Sequence, residues 1–361
     1  MASEFSGMYR SGPLSNGIQE KMAESCFQIR AGNGRIAGFW CRGLFHFLIS
    51  MLVLSMLLFG MSRLAPGDPL VSWYGERVQK MSAEERMQAE ARLGLNEPIP
   101  VQYVRWLKNA LSGEFGISYK YKTDALLVIR ERAGNTLLLG GTAFLLTAVL
   151  SILLGVFCAS RENRLPDRLI CRLGTVLDCV PQFWLSLLLI FWFSVTLRWL
   201  PASGAYSAGK EADTPDRLRH LILPLTVAVL SHLWYYAYMI RNLMTEELKA
   251  DYVLWARARG VGRRRILFRY CLMNILPSYL SILAVSMPHL VGGTYLIEVV
   301  FSYPGLGTLA YESVRYQDYN LLMLTGMLSG GAVLLADAAG RWFGGRINPK
   351  LRQNGTWDGN S

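Results

Sequence analysis

Long apolar runs alternate with short charged loops along this chain, and the lengths of those runs set the first expectation. A helix crosses the hydrocarbon core of a bilayer with about 20 predominantly apolar residues. Six stretches reach that length: residues 43–64 ("GLFHFLISMLVLSMLLFGMSRL"), 136–159, 174–197, 218–240, 275–300 and 321–343. The pattern predicts an all-α integral membrane protein with about six transmembrane helices. Arg35 and Arg42 precede the first run as they would precede a signal peptide. The run exceeds an ordinary signal core, however, and "SRLAPGDP" offers no small-residue cleavage site, so it reads as a retained span.

The polar stretches between the runs predict further elements. Residues 65–135 separate the first two spans. Within them, "MSAEERMQAEARLGL" predicts an amphipathic helix with Ser82 as N-cap, Glu84 and Glu85 in its first turn and Gly94 as its stop. "VQYVRWLKNAL" predicts a second, with Val101, Val104, Leu107 and Leu111 near helical spacing. Both suit packing on the spans or receiving an external partner. Residues 1–37, with "SGPLSNG" and "AGNG", read as a flexible cytoplasmic tail, and residues 353–361 as a second tail.

Orientation follows from lysine and arginine in the short loops. The loop after the second run carries Arg161, Arg164, Arg168 and Arg172, and the tail after the sixth carries Arg346, Lys350 and Arg352. The loop after the fourth contains "DYVLWARARGVGRRRILFRYCLMNILP", residues 251–277, with six arginines. These loops and both termini are expected on the cytoplasmic side, which an even number of spans permits. Residues 65–135 then form an external segment.

Composition agrees with the pattern. Hydrophobic residues make up 52% of the 361 and charged residues only 17%, well below the roughly one quarter usual in soluble proteins. The net charge of +11 is explained by basic loops beside apolar runs rather than by a nucleic-acid partner. The cysteines (Cys26, Cys41, Cys158, Cys171, Cys179, Cys271) lack metal-ligand spacing and read as small buried hydrophobes.

Motifs for chemistry are missing. No GxxxxGK[ST] phosphate loop, HExxH or GxSxG occurs, so ATP hydrolysis and hydrolase chemistry are not expected of this chain. Polar groups inside spans are costly and tend to face a bundle interior or cavity. Asp178, His232, His289, Glu298 and Asp337 fit that description, as residues of a translocation path or gate or as interface residues satisfied by a neighbouring span. A His232–His289 metal pair is one further reading. Gly292 and Gly293 allow close helix approach, and Pro181, Pro224, Pro277 and Pro288 kink their spans.

The stretch from Thr245 to Arg259 predicts a cytoplasmic helix with Thr245 as N-cap, Arg257 and Arg259 near its end and Gly260 as its left-handed stop. Leu248, Tyr252, Trp255 and Ala256 lie near one face, forming a small docking surface; a basic anchor on the membrane surface is the plainer alternative.

"DYVLWARARG" resembles the cytoplasmic-loop motif of permease subunits of binding-protein-dependent ABC importers of the dipeptide, oligopeptide and nickel class. In the same order, "RLAPGDP", "LGLNEPIPVQYVRWLKNALSGEFGISY", "VPQFWLSLLLI", "WLPASG", "EVVFSYPGLGTL" and "RINPKLR" resemble further motifs of that class, covering residues 38–352. The resemblance implies a type I importer permease architecture in a bacterial inner membrane, with a coupling loop at 242–274. It also implies that Asp251, Tyr252, Trp255, Ala256, Arg257, Ala258, Arg259 and Gly260 dock into a cytoplasmic ATPase. The implied partners are a second homologous permease, two ATPase subunits that bind the ATP and magnesium, an extracytoplasmic binding protein, and membrane lipid. No cofactor is implied in this chain. Two departures stand out: Leu254 and Trp255 replace a polar or basic residue and a threonine, and the Gly260–Pro277 spacing is one residue short. Short peptides and nickel are both carried by the class. The readings that compete are a membrane-embedded enzyme using an intramembrane Asp and His, and a membrane scaffold displaying its loop helix.

Overall fold

The computed structural model describes residues 43–64, 70, 74–94 and 96–347, with no strand among them apart from an isolated bridge between Ile117 and Asp124. The two proposed tails, 1–37 and 353–361, lie outside the described residues. By internal packing the chain divides at Val53/Leu54. Residues 43–53 form the first half of α1 (Gly43–Leu64), with Leu44, Phe45, Leu48 and Ile49 exposed. The remainder begins at Leu54.

Between α1 and the next span lie α2 (Ala83–Leu93) and α3 (Ile99–Leu111). The α2 helix starts as its sequence dictates. Ser82 Oγ accepts from the Glu85 amide at 3.2 Å while the Glu85 carboxylate accepts from the Ser82 amide at 2.8 Å, a reciprocal cap. Gly94 stops it at φ 67°. In α3 the inward face differs from the expected one. Tyr103 and Trp106 pack on Phe59 of α1, and the Tyr103 hydroxyl lies 2.8 Å from Ser55 Oγ, whereas Val101, Val104 and Leu111 are exposed. Aromatic rings carry more contact area than valine, so they take the buried side.

The spans are α4 (Ala125–Ser160), the pair α5 (Leu165–Asp178) and α6 (Gln182–Leu189), α7 (Thr214–Glu247), α9 (Leu272–Val300) and α11 (Tyr319–Ile347). Short helices α8 (Asp251–Ala258) and α10 (Leu306–Arg315) sit between them. The α4 helix begins well before residue 136, because Asp124 caps it through the Leu126 amide at 2.8 Å. Its buried stripe is small: Thr136, Gly140, Ala143, Thr147, Ser151, Gly155 and Ala159. Small residues let spanning helices approach closely. A Cβ on Gly155 would lie 2.5 Å from Ile240 Cγ2 and 2.8 Å from the Ala237 carbonyl, so α4 and α7 meet nearly backbone to backbone. Half of the most apolar window of α7 is buried, which places α7 at the centre of the helices from Leu54 onward.

The third span is broken. The axis turns by 102° between Leu165–Asp178 and Gln182–Thr196, at Cys179–Pro181, where the proline ring excludes the helical conformation from the residue before it. Past Leu189 the helix widens into a π-helical stretch, Ile190–Thr196. The α5 half runs antiparallel along α7. Asp167 meets Arg241, and a Cβ on Gly174 would lie 2.8 Å from Trp234 Cε3; seven residues separate the partners on each helix. The lower half of this span is thus strapped to α7 before the turn.

The helix of the fifth span begins earlier than residue 275: a turn at Arg263–Arg265 and a π-helical stretch, Ile266–Cys271, lead without interruption into α9. Buried hydroxyls join the helices where no water can serve them. Ser151 Oγ and Tyr279 Oη are 2.6 Å apart between α4 and α9, and Tyr295 pairs with Ser329 between α9 and α11.

Candidate functional site

Two regions carry the functional candidates. The first is α8. No helix spans 245–259: α7 continues to Glu247, Leu248–Ala250 turn, and α8 starts afresh at Asp251. Thr245 is a buried residue of α7 and caps nothing. Asp251 stands in the first turn of α8 and Arg257 in the last, each complementing the helix dipole. Gly260, at φ +75°, closes the helix. Its amide donates to Arg257 O at 2.9 Å and the Val261 amide to Ala256 O at 3.0 Å, the paired bonds of a Schellman stop.

The helix has two faces. Val253 and Ala256 are buried among Ile240, Met244, Ala159, Ile266 and Cys271. Leu254 and Trp255 are 60% and 68% exposed, with Arg257, Ala258 and Arg259 beside them. The exposed face of α8 differs from the apolar face read from the sequence: Ala256, and Tyr252 in part, face the bundle, and Leu254 is exposed beside Trp255. Tyr252 donates its hydroxyl hydrogen to Glu247 Oε1 at 2.6 Å, and Asn274 Nδ2 donates to the same oxygen at 3.0 Å. Burial first, and Glu247 second, push the Tyr252 phenol above its ordinary pKa, so it remains a donor. Lys249 and Glu162 make a looser pair at 3.6 Å.

The second region lies inside the bundle at the bend. Pro181 opens α6 as its N-cap. His232 of α7 donates through Nδ1 to the Ala228 carbonyl at 3.0 Å, which leaves Nε2 turned elsewhere. A Cβ on Gly293 would stand 3.3 Å from His232 Cε1, 3.4 Å from its Nε2 and 3.6 Å from Gln182 Nε2. Three helices therefore converge at Gln182, His232 and Gly293. Gln182 had no signal in the sequence beyond its place after Pro181. Gly292 is exposed on α9, and Asp178 is exposed at the end of α5. Asp337 is half-buried in α11. The side chain of His289 lies outside those described, and the proposed histidine pair with it.

Of the two readings of Glu298, a path or gate residue and an interface residue, its contacts match the second. It is fully buried, and its Oε2 accepts from the Gly307 amide at 2.7 Å while the Tyr303 amide donates to its backbone carbonyl at 2.8 Å. Thr136 Oγ1 accepts from the Leu306 amide at 2.7 Å. Glu298 thus clamps the Ser302–Gly307 loop.

The remaining polar clusters are structural. Cys158, Asp167 and Cys171 bring ligand atoms within 4.8 Å of one another, but both Asp167 oxygens are taken by Arg241 at 2.6 Å each. At the end of the bundle away from α8, Ser118 Oγ and the Lys120 amide donate to Asp318 at 2.5 and 3.1 Å, and Asn320 donates to the Ile117 carbonyl at 2.9 Å. Lys120 Nζ is 2.8 Å from Glu312, which also accepts from Tyr121 at 2.5 Å.

The structure is a helical membrane bundle with a small helix that projects an apolar and basic face. Residues 151–353 match the family of binding-protein-dependent transport system inner membrane components, and residues 36–139 match the N-terminal model of such membrane components. The oligopeptide transport system permease protein AppB of Bacillus subtilis is 32% identical over 83% of this chain and 95% of its own length. A Brucella ovis protein assigned as a peptide permease is 32% identical over 84% of this chain and 95% of its own. Among solved structures, a chain of the inward-facing MetNI methionine ABC transporter superposes with a TM-score of 0.50 at 16% identity, covering 62% of this chain and 97% of that one. The chain belongs to the binding-protein-dependent transport system inner membrane component family, as a multi-pass permease subunit of an ABC importer and a transport component rather than an enzyme.

Proposed function

We propose that this permease forms half of a translocation path for short peptides and that α8 is its coupling helix. The observation that carries the reading is the division of α8. Val253 and Ala256 seat it on the bundle, while Leu254 and Trp255 are exposed and Arg257 and Arg259 follow them. An exposed tryptophan and leucine on a projecting helix suit an apolar groove on a partner protein. That partner is one of two ATPase subunits, where ATP and magnesium are bound. A second homologous permease completes the path, with Gln182, His232 and Gly293 at its narrow part, and an extracytoplasmic binding protein delivers the substrate.

The arginine-rich loops and both termini lie on the cytoplasmic side in this reading, with residues 65–135 external, 38–352 as the membrane domain and 242–274 as the coupling loop. Nucleotide-driven closure of the ATPases moves α8 and switches the path between its two openings. Peptide rather than nickel as substrate is supported by the names of the relatives.

The test is reconstitution of this chain, its companion permease, both ATPases and the binding protein in liposomes, followed by uptake of tritiated di- to pentapeptides. ATP-dependent uptake is expected, and Trp255→Asp is expected to abolish it without preventing membrane insertion. Equal uptake from an assembly lacking this chain would sink the proposal.

A further inference from the structure

The seat of α8 on the bundle is mostly apolar, and apolar packing is not directional. Val253 and Ala256 would hold the helix against Ile266 and Cys271 while letting it slide or roll. What fixes its direction is one carboxylate oxygen. Glu247 is the last residue of α7, Tyr252 the second of α8 and Asn274 the third of α9. Tyr252 Oη and Asn274 Nδ2 both donate to Glu247 Oε1, at 2.6 and 3.0 Å.

We infer that Glu247 is a positioning residue that ties the projecting helix to α7 and α9 at a single point, so that displacement of α8 reaches both helices together. This rests on the coupling role given to α8 above. The two helices so joined are the ones that carry His232 and Gly293 to their close approach in the bundle. Other polar ties of the loop are poorer candidates. Lys249 and Glu162 are 3.6 Å apart with side chains 67% and 35% exposed, where ion pairs contribute little. Arg263 reaches the Ser160 carbonyl from an exposed position and leads to α4 rather than to both helices beside α8. Cys271, whose Sγ is 3.8 Å from the Tyr252 hydroxyl, is enclosed in the same cluster and fills space beneath the junction.

The bond between Tyr252 and Glu247 is charge-assisted, the stronger kind. Its loss should leave the seat of α8 intact, because the apolar contacts of Val253 and Ala256 remain. Transmission would then fail while docking persists. That separation is what a merely structural residue would not produce.

The experiment uses the complete reconstituted importer and reads peptide uptake, ATP hydrolysis and the peptides moved per ATP. Tyr252→Phe, which removes one of the two bonds, is expected to lower that ratio by about tenfold, and Glu247→Ala, which removes both, by at least as much, with basal hydrolysis and subunit co-purification unchanged. Because Glu247→Ala already removes the bond to Tyr252, the double variant should be no worse than Glu247→Ala alone. Glu247→Gln, which keeps an acceptor oxygen, should restore most of the ratio. If Glu247→Ala does not assemble, Tyr252→Phe and Asn274→Ala carry the test. An unchanged ratio, a parallel fall in uptake and hydrolysis, or multiplicative effects of the two single variants would overturn the inference. Absence of cross-linking between Ala258→Cys, at an exposed position of α8, and the ATPase in an otherwise unmodified chain would instead count against the coupling role of α8 itself.

Discussion

Arg241 grips the Asp167 carboxylate with two nitrogens, each 2.6 Å from its own oxygen, and the aspartate side chain is only 2% exposed. The pair pins the first half of the broken span to α7. Removing one partner leaves the other charge buried alone, which costs about 3–5 kcal/mol. Arg241→Ala is expected to lower the thermal unfolding midpoint of the purified chain clearly. Arg241→Met with Asp167→Leu should recover much of the loss, because an apolar pair of similar size does not strand a charge. Detergent-solubilised thermal melts of the two variants test this, and equal melting points would speak against the clasp.

Gly293 marks a second close approach. A methyl group there must displace His232 by a few tenths of an ångström, and a branched side chain by more. Gly293→Val is expected to suppress uptake by the assembled importer at least as strongly as it alters its melting. Gly292→Val, on the exposed face of α9, is expected to be milder. Similar uptake in the two variants would remove Gly293 from the path.

The two faces of α8 should answer differently to mutation. Trp255→Ala removes an exposed ring and should weaken ATPase co-purification by about 2 kcal/mol, the scale of an interface anchor, without changing the melting of the isolated chain. Ala256→Asp places a charge in the apolar seat and should lower that melting point. The reverse assignment would mean that the faces have been exchanged.

A dependence on pH is expected at the opposite end of the bundle. Burial raises the pKa of Glu312, but the Lys120 ammonium and the Tyr121 hydroxyl outweigh it and the net shift is downward. A carboxylate whose pKa is lower folded than unfolded contributes stability above its unfolded value, near 4.3. That contribution disappears as pH falls through the folded value. Amide protection in residues 118–122, taken relative to the unstructured exchange rate at the same pH, should therefore be high at neutral pH and fall below about pH 4. In Glu312→Gln it should already be lower at neutral pH.

Much of this architecture was legible in residue order. Ser82, Glu85 and Gly94 bound α2 because caps act through neighbours three or four positions apart. The errors lie where distant contacts override local preference. Thr245 has the chemistry of an N-cap, yet α7 runs through it because its neighbours pack against α4 and the start of α9. For Glu298 the sequence left a path residue and an interface residue both open, and the Gly307 amide that bonds it could not be seen without the turn between them. Gln182 and Asn274 carried no signal, and Glu247 suited the first turn of the predicted 245–259 helix; each acquires its role from a partner on another helix. The departure at Leu254 and Trp255 was visible in the sequence, and the structure shows its weight: these are the apolar residues that α8 leaves uncovered.

The π-helical stretch from Ile266 to Cys271 holds slack between the loop and the bundle. A π-helical turn accommodates one residue more than an α-helical one. Wound tightly instead, the same six residues would advance every later position by about 100° around the helix axis. Gly293 would then swing away from His232, and Asn274 away from Glu247. The loosened turn acts as a dial, and its present setting decides which edge of α9 the rest of the molecule meets.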